Sequence, residues 1–243
     1  EALKKSKNTV AVQLCKMRGV DSVFSTLKNQ YGFDTLVESQ KRADGATLTD
    51  KAVSPMALGQ LTNGVSLRKL TEAYTAFPND GVRTSSRTYI AVKDKDGNTV
   101  MKKDGSGNRV MKSETAKIMN QLLSEVVASG TARSVSLKQI TSVARKTGTS
   151  GGGYDKMFIG YTPFAVAGIW CGYSNGKTAV STSGKSHLEI WDAVMQRICQ
   201  EAFYDRVDDK FSTGGLIYAP YCMDSGAVYS HNCIYDPRGS RME

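Results

Sequence analysis

Apolar residues along the chain keep a helical spacing up to about residue 130 and change to strand-like runs after about residue 140. Asn8 to Lys16 and Asp21 to Tyr31 read as two short helices, the second with Asp21 as N-cap and Gly32 as stop. Lys41 to Asp50 is polar and reads as a loop. Ser66 is placed to cap a helix in which Leu67, Leu70, Ala73, Tyr74 and Phe77 recur on one face, and Pro78-Asn79-Asp80-Gly81 ends it. Thr88 to Lys93 and Thr99 to Lys102 flank Asp94-Lys95-Asp96-Gly97-Asn98, which predicts an exposed hairpin. From Ser113, an amphipathic helix carries Ile118, Met119, Leu122, Leu123, Val126 and Val127 on one face and stops at Gly130.

Beyond this point three strands are predicted: Thr141 to Ser150, Lys156 to Thr162 and Phe164 to Tyr173, the last two an antiparallel pair joined through Thr162-Pro163. A final helix, about His187 to Tyr204, puts Leu188, Trp191, Val194, Met195 and Ile198 on one stripe. Helices, then antiparallel strands, then a helix predict an α/β protein of the α+β type, an antiparallel sheet covered by helices. Residues 1–205 form the expected domain, and 206–243 an irregular tail.

The 243 residues are 40% hydrophobic, enough for a large globular core. The net charge of +9 favours anionic surroundings, but Lys and Arg are scattered and do not interleave with aromatics, which argues against nucleic acid. The longest apolar run, Phe164 to Cys171, is strand-sized and far short of the roughly 20 residues of a membrane span. Residue 1 falls inside a helical pattern, Glu1-Ala2-Leu3-Lys4-Lys5, so the chain is expected to begin within a domain, with any anchor or export signal upstream.

Five cysteines leave at least one without an intrachain partner. Cys15, Cys171 and Cys199 lie in apolar stretches and read as core thiols, whereas Cys222 and Cys233 flank a polar loop and are candidates for a disulfide. No Cys-x-x-Cys occurs and His187 and His231 are isolated, so no metal or cofactor is expected.

Two segments carry candidate chemistry. Lys146-Thr147-Gly148-Thr149-Ser150 closes a strand and runs into Gly151-Gly152-Gly153. A ligand pairing with that strand edge would use main-chain hydrogen bonds, with Gly148 leaving room and an ammonium and two hydroxyls suited to a carboxylate. The plain alternative is an ordinary strand end. Ser6-Lys7-Asn8 precedes a helix, and by itself a helix cap explains it.

Together, and in this order, the two motifs resemble the transpeptidase domain of class A penicillin-binding proteins. The resemblance runs almost end to end. "ALKKSKNTVAVQLCKMRG" (2–19) is similar to the family's Ser-x-Asn segment, "SPMALGQLTNGVSLRKLTEAYTAFPNDG" (54–81) to the stretch that leads into a helix and polar turn, "ARKTGTSGGGYDKMFIGYTPFAVAGIWCGY" (144–173) to the Lys-Thr-Gly motif and following hairpin, and "YCMDSGAVYSHNCIYDPRGSR" (221–241) to a tail of some members. Arg145 stands where a small residue is common, and Met157 where an aromatic is common.

The resemblance implies a β-lactamase/DD-transpeptidase-like fold and acyl transfer from stem peptides ending in D-Ala-D-Ala to an amine of a second stem peptide. β-Lactams imitate that terminus. It assigns Ser6 as proton relay, Asn8 to the substrate amide, Lys146 as electropositive partner of Ser6, the hydroxyls of Thr147 and Thr149 to the substrate carboxylate, Gly148 to the open strand, and the Thr149 N–H to the oxyanion hole. The family's Ser-x-x-Lys nucleophile motif precedes Ser-x-Asn by about fifty residues, so the N-terminal part of the domain, with the nucleophile, is expected outside this chain. Ser25-Thr26-Leu27-Lys28 and Ser66-Leu67-Arg68-Lys69 follow Ser-x-Asn and are rejected. A membrane anchor upstream, a glycosyltransferase domain upstream and a location on the extracytoplasmic face of a bacterial membrane are further implications. A class A β-lactamase would need a deacylating glutamate, and Glu38, Glu72, Glu114 and Glu125 lack the E-x-x-x-N pattern. A non-catalytic β-lactam or peptidoglycan sensor or scaffold of the same fold is the alternative.

Overall fold

The computed structural model describes residues 1–103, 105–129, 136–180, 186–206, 208–222 and 228. Cys233 and the expected helix stop Gly130 lie outside these, as does the proposed Cys222–Cys233 bridge. Six helices are described: α1 (Asn8–Arg18), α2 (Val20–Ser25), α3 (Val53–Leu58), α4 (Leu67–Tyr74), α5 (Ser113–Ser129) and α6 (Ser186–Ala202). The strands are β1 (Gln40–Lys41), β2 (Thr47–Leu48), β3 (Val82–Thr84), β4 (Ala91–Lys93), β5 (Thr99–Lys102), β6 (Gly107–Arg109), β7 (Ala144–Thr149), β8 (Asp155–Tyr161) and β9 (Val166–Gly172). The chain divides into two compact units, residues 1–212 and 213–243. In the second unit, Tyr221 and Val228 form an antiparallel bridge.

β7, β8 and β9 form an antiparallel sheet in that order, with β7 at one edge. One face receives α6. Trp191 presses on Gly160, where a Cβ would come within 2.4 Å of the indole, and with Phe158, Leu188, Met195 and Cys199 it builds a buried cluster. α4 crosses the sheet at Gly168, where a Cβ would meet Thr71 Oγ1 at 2.5 Å and Leu67 at 2.9 Å. Two glycines on neighbouring strands thus let helices approach the sheet closely. The turn between β8 and β9 is held by Thr162, whose N–H donates to the Ala165 carbonyl and whose hydroxyl accepts from the Ala165 N–H.

α1, α2 and α3 bury Cys15, Phe24, Phe33 and Met56 in a second cluster. A third joins Leu123 and Val126 of α5 to Ala144, Tyr161 and Phe211. Ser66 caps α4 as expected, its hydroxyl accepting from the Lys69 N–H at 3.2 Å.

Several local expectations are corrected. Asp21 lies in the first turn of α2, which Gly19 precedes, and the second predicted helix ends as a π-helical run, Thr26–Gln30. The stretch read as a loop at 41–50 contains the small β1–β2 hairpin, and β3 pairs with β6, which lacks an apolar alternation to announce it. Ile118, Leu122 and Val194, assigned to buried stripes, are exposed, because only part of each apolar stripe meets a neighbour in this chain. The β4–β5 hairpin is exposed throughout, as its polar turn predicts.

Candidate active site

β7 runs from the core into solvent. Ala144 and Arg145 are fully buried, Lys146 and Thr147 half-buried, and Gly148 and Thr149 exposed. Past the strand, Gly152 and Gly153 both take positive φ, which glycine adopts without a Cβ clash. The register follows from this turn. The Ser150 N–H donates to the Asp155 carbonyl, and antiparallel pairs alternate between bonded and non-bonded. Thr149 opposite Lys156 and Thr147 opposite Phe158 are then non-bonded pairs, so their N–H and C=O groups point to the free edge. Gly148 is not needed for packing, since a Cβ there would meet only Met157, at 3.8 Å. Its value is the open edge.

At that edge the structure brings together residues 140 positions apart. Lys146 Nζ donates to Ser6 Oγ at 2.5 Å and to its neighbour's carbonyl, Thr147 O, at 2.9 Å. The second bond was not legible in the motif, because it depends on which way the Thr147 carbonyl points. Ser6 does not cap α1: that helix follows Lys7 and has no side-chain cap. Instead Ser6 takes a positive φ of 48°, which for a non-glycine residue costs on the order of 1–3 kcal/mol, and its hydroxyl accepts from Lys146. Asn8 is the first residue of α1, exposed, two positions from Ser6. Among the described residues, the hydroxyls of Thr147 and Thr149 have no hydrogen-bond partner.

Burial draws the Lys146 ammonium below the ordinary lysine value, which eases proton exchange with Ser6. Ser6 already accepts from Lys146, so its own proton is free to be donated elsewhere. The ammonium, the hydroxyls and the outward N–H groups make an electropositive edge for a peptide-like anion. Among the described residues no cluster of three or more His, Cys, Asp or Glu could hold a metal. No helix among them is long and apolar enough to cross a membrane.

The rejected alternatives have structural roles. Ser66 is spent as the α4 cap, and the Lys28 ammonium of the Ser25 motif lies over the Phe24 ring. Glu72 is buried in α4, accepting from the N–H and hydroxyl of Ser86 and from Arg83. Burial works against its charge, yet the Ser86 donors, with Lys69 and Arg83, hold its carboxyl below the usual glutamate value.

A family model of the penicillin-binding protein transpeptidase domain matches residues 1–196. Penicillin-binding protein 1A of Clostridium perfringens is 30% identical over the whole chain, and penicillin-binding protein 4 of Bacillus subtilis is 32% identical over 80% of it. The chain spans 28% and 29% of the length of these two relatives. The crystal structure of penicillin-binding protein 1A from Haemophilus influenzae has a similar fold, with a TM-score of 0.73 at 15% identity, the match covering 100% of this chain and 39% of that one.

Proposed function

Since the chain belongs to the penicillin-binding protein transpeptidase family, we propose that it forms the substrate-binding and proton-relay half of a serine-type peptidoglycan DD-transpeptidase. The nucleophilic serine and its activating lysine come from residues N-terminal to Glu1. The observation that carries this reading is the Lys146–Ser6 hydrogen bond at the free edge of β7.

A stem peptide ending in D-Ala-D-Ala lies along that edge, exchanging main-chain hydrogen bonds with Thr147 and Thr149. Its terminal carboxylate meets the two threonine hydroxyls beside the Lys146 charge. The serine oxygen attacks the penultimate carbonyl, whose oxygen takes negative charge and is stabilised by the Thr149 N–H together with a donor from the nucleophile's own backbone. The C–N bond then breaks. Ser6 gives its own proton to the departing nitrogen and takes up the proton leaving the serine, so it ends neutral, while the Lys146 ammonium keeps its proton and steadies the Ser6 oxygen during the transfer. Asn8 holds the substrate amide. An amine of a second stem peptide attacks the acyl ester, and the serine is released. A β-lactam enters the same path and stops at the acyl-enzyme. The protein acts at the extracytoplasmic face of the membrane, anchored upstream, with a glycosyltransferase domain on the same polypeptide.

Labelled penicillin tests this. The polypeptide with its upstream residues is expected to form one covalent adduct that survives denaturation, and the 243-residue chain alone none. Stoichiometric labelling of the lone chain, at Ser25 or Ser66 for example, would overturn the placing of the nucleophile. Turnover of a D-Ala thioester separates an enzyme from a non-catalytic sensor of the same fold.

A further inference from the structure

Arg145 is fully buried, and among the described residues none of its three guanidinium nitrogens has a hydrogen-bond partner. It is the largest side chain in the fully buried set, one residue before Lys146 on the same strand. Neighbouring side chains on a strand point to opposite faces, so Arg145 lies behind the sheet when Lys146 reaches the site. Behind it, the guanidinium carbon lies 5.9 Å from the centre of the Phe158 ring. Asp192 of α6 is the nearby anion, but its oxygens are taken. Oδ2 accepts from the N–H and hydroxyl of Ser136 and from Gln196, and Oδ1 from the Leu137 N–H.

A buried guanidinium without donors satisfied is costly, and a methionine of similar volume would serve the core better. Burial lowers its pKa to about 10, partly opposed by Asp192, so it still carries its charge at neutral pH. Low dielectric surroundings and the lack of a hydrogen-bonded counter-ion leave that charge poorly screened.

We propose that Arg145 is a positioning residue for the site: a buried cation without a hydrogen-bonded counter-ion that acts through the strand on the proton of Lys146, on the opposite face, and along its own face on an anion held at Thr147 and Thr149. This rests on the function proposed above. Two charges on adjacent strand residues are on the order of 10 Å apart, and at an effective dielectric near 20 their coupling changes a protonation equilibrium about tenfold. The charge makes Lys146 easier to deprotonate and an anion easier to hold. Other charged groups around β7, Lys117 and Glu125 of α5, Asp155 and Lys156 of β8, and His187 and Asp192 of α6, stay constant when Arg145 alone is replaced. The same holds for Lys5 and Lys7 beside Ser6.

The test is the pH dependence of acylation by a labelled penicillin in the polypeptide with its upstream residues, for wild type, R145M, R145Q and R145K. Removing the cation raises the proton affinity of Lys146, so the limb set by Lys146 should move to higher pH by about one unit in both neutral variants. R145K, which keeps the charge, should retain the wild-type limb. The apolar and polar neutral variants make opposite demands on the core, so a shared shift reports charge and not packing. If R145M does not fold, R145Q against R145K decides. An unmoved limb in a folded neutral variant overturns the inference even if the rate falls, and so does a shift shared by R145K. A wild type that takes no label overturns the transpeptidase reading itself, and the inference with it.

Discussion

The two ends of β7 belong to different environments although they lie only a few residues apart. At Ala144 and Arg145 the strand is sealed between α5, β8 and the α6 cluster. At Gly148 and Thr149 it is an exposed edge, and among the described residues the Thr149 hydroxyl is left unspent and its main-chain groups face outward. β8 runs the other way, half-buried from Asp155 to Met157 and buried from Phe158 to Tyr161. The inner end tolerates almost no change of volume, because packed interiors transmit any misfit to their neighbours. The outer end tolerates changes of volume without loss of stability, and what it can lose is recognition, when a polar group is removed or the ligand's edge is obstructed. Anchoring and recognition are thus separated along one strand, and a rigid inner end fixes where the outer end presents its donors.

That separation is open to direct attack. Phe158→Ala at the inner end should cost about 3–5 kcal/mol of stability by denaturant unfolding, since the ring is wholly buried against Trp191 and Arg145. Lys146→Ala at the outer end should reverse the pattern. Acylation by labelled penicillin should fall about a hundred- to a thousandfold while the unfolding midpoint barely moves. Equal losses of stability in the two variants would erase the distinction.

A gentler contrast uses the same chemical change twice. Gly160→Ala drives a methyl into Trp191 and should destabilise by about 1–3 kcal/mol, whereas Gly148→Ala meets only Met157 and should leave stability within about 0.5 kcal/mol. Gly148→Ala should slow acylation instead, because the methyl stands on the ligand's edge. The smallest effect lies away from the sheet. Glu72 has a carboxyl held below its ordinary value of 4.5, so its contribution to stability is present above that pH and is lost as the pH falls through the lowered folded value. Glu72→Gln should flatten the acid end of the stability–pH curve and leave its slope near neutrality unchanged.

Much of this was legible in the residues. The α4 cap at Ser66, the hairpin at 91–102, the three strands of the sheet and the helix beginning near His187 follow from turn chemistry and periodicity, which act over a few residues. The Ser-x-Asn and Lys-Thr-Gly segments named Ser6, Asn8, Lys146, Thr147, Gly148 and Thr149. What periodicity could not show is which apolar positions find a partner. Ile118, Leu122 and Val194 have the right spacing and remain exposed, because burial is decided by what packs against a face and not by the face itself.

The sequence by itself determined the local elements, the order of the motifs and the chemistry they can offer. Only the tertiary structure decided that Ser6 forgoes the helix cap and meets Lys146, that Thr147 and Thr149 turn their main-chain groups outward, and that Arg145 is buried without a hydrogen-bond partner among the described residues. The physical reason is range. Caps, turns and alternation are short-range preferences written into neighbouring residues. A contact across 140 positions, the phase of a strand's hydrogen bonds and the solvation of a single charge depend on which elements the whole chain brings together.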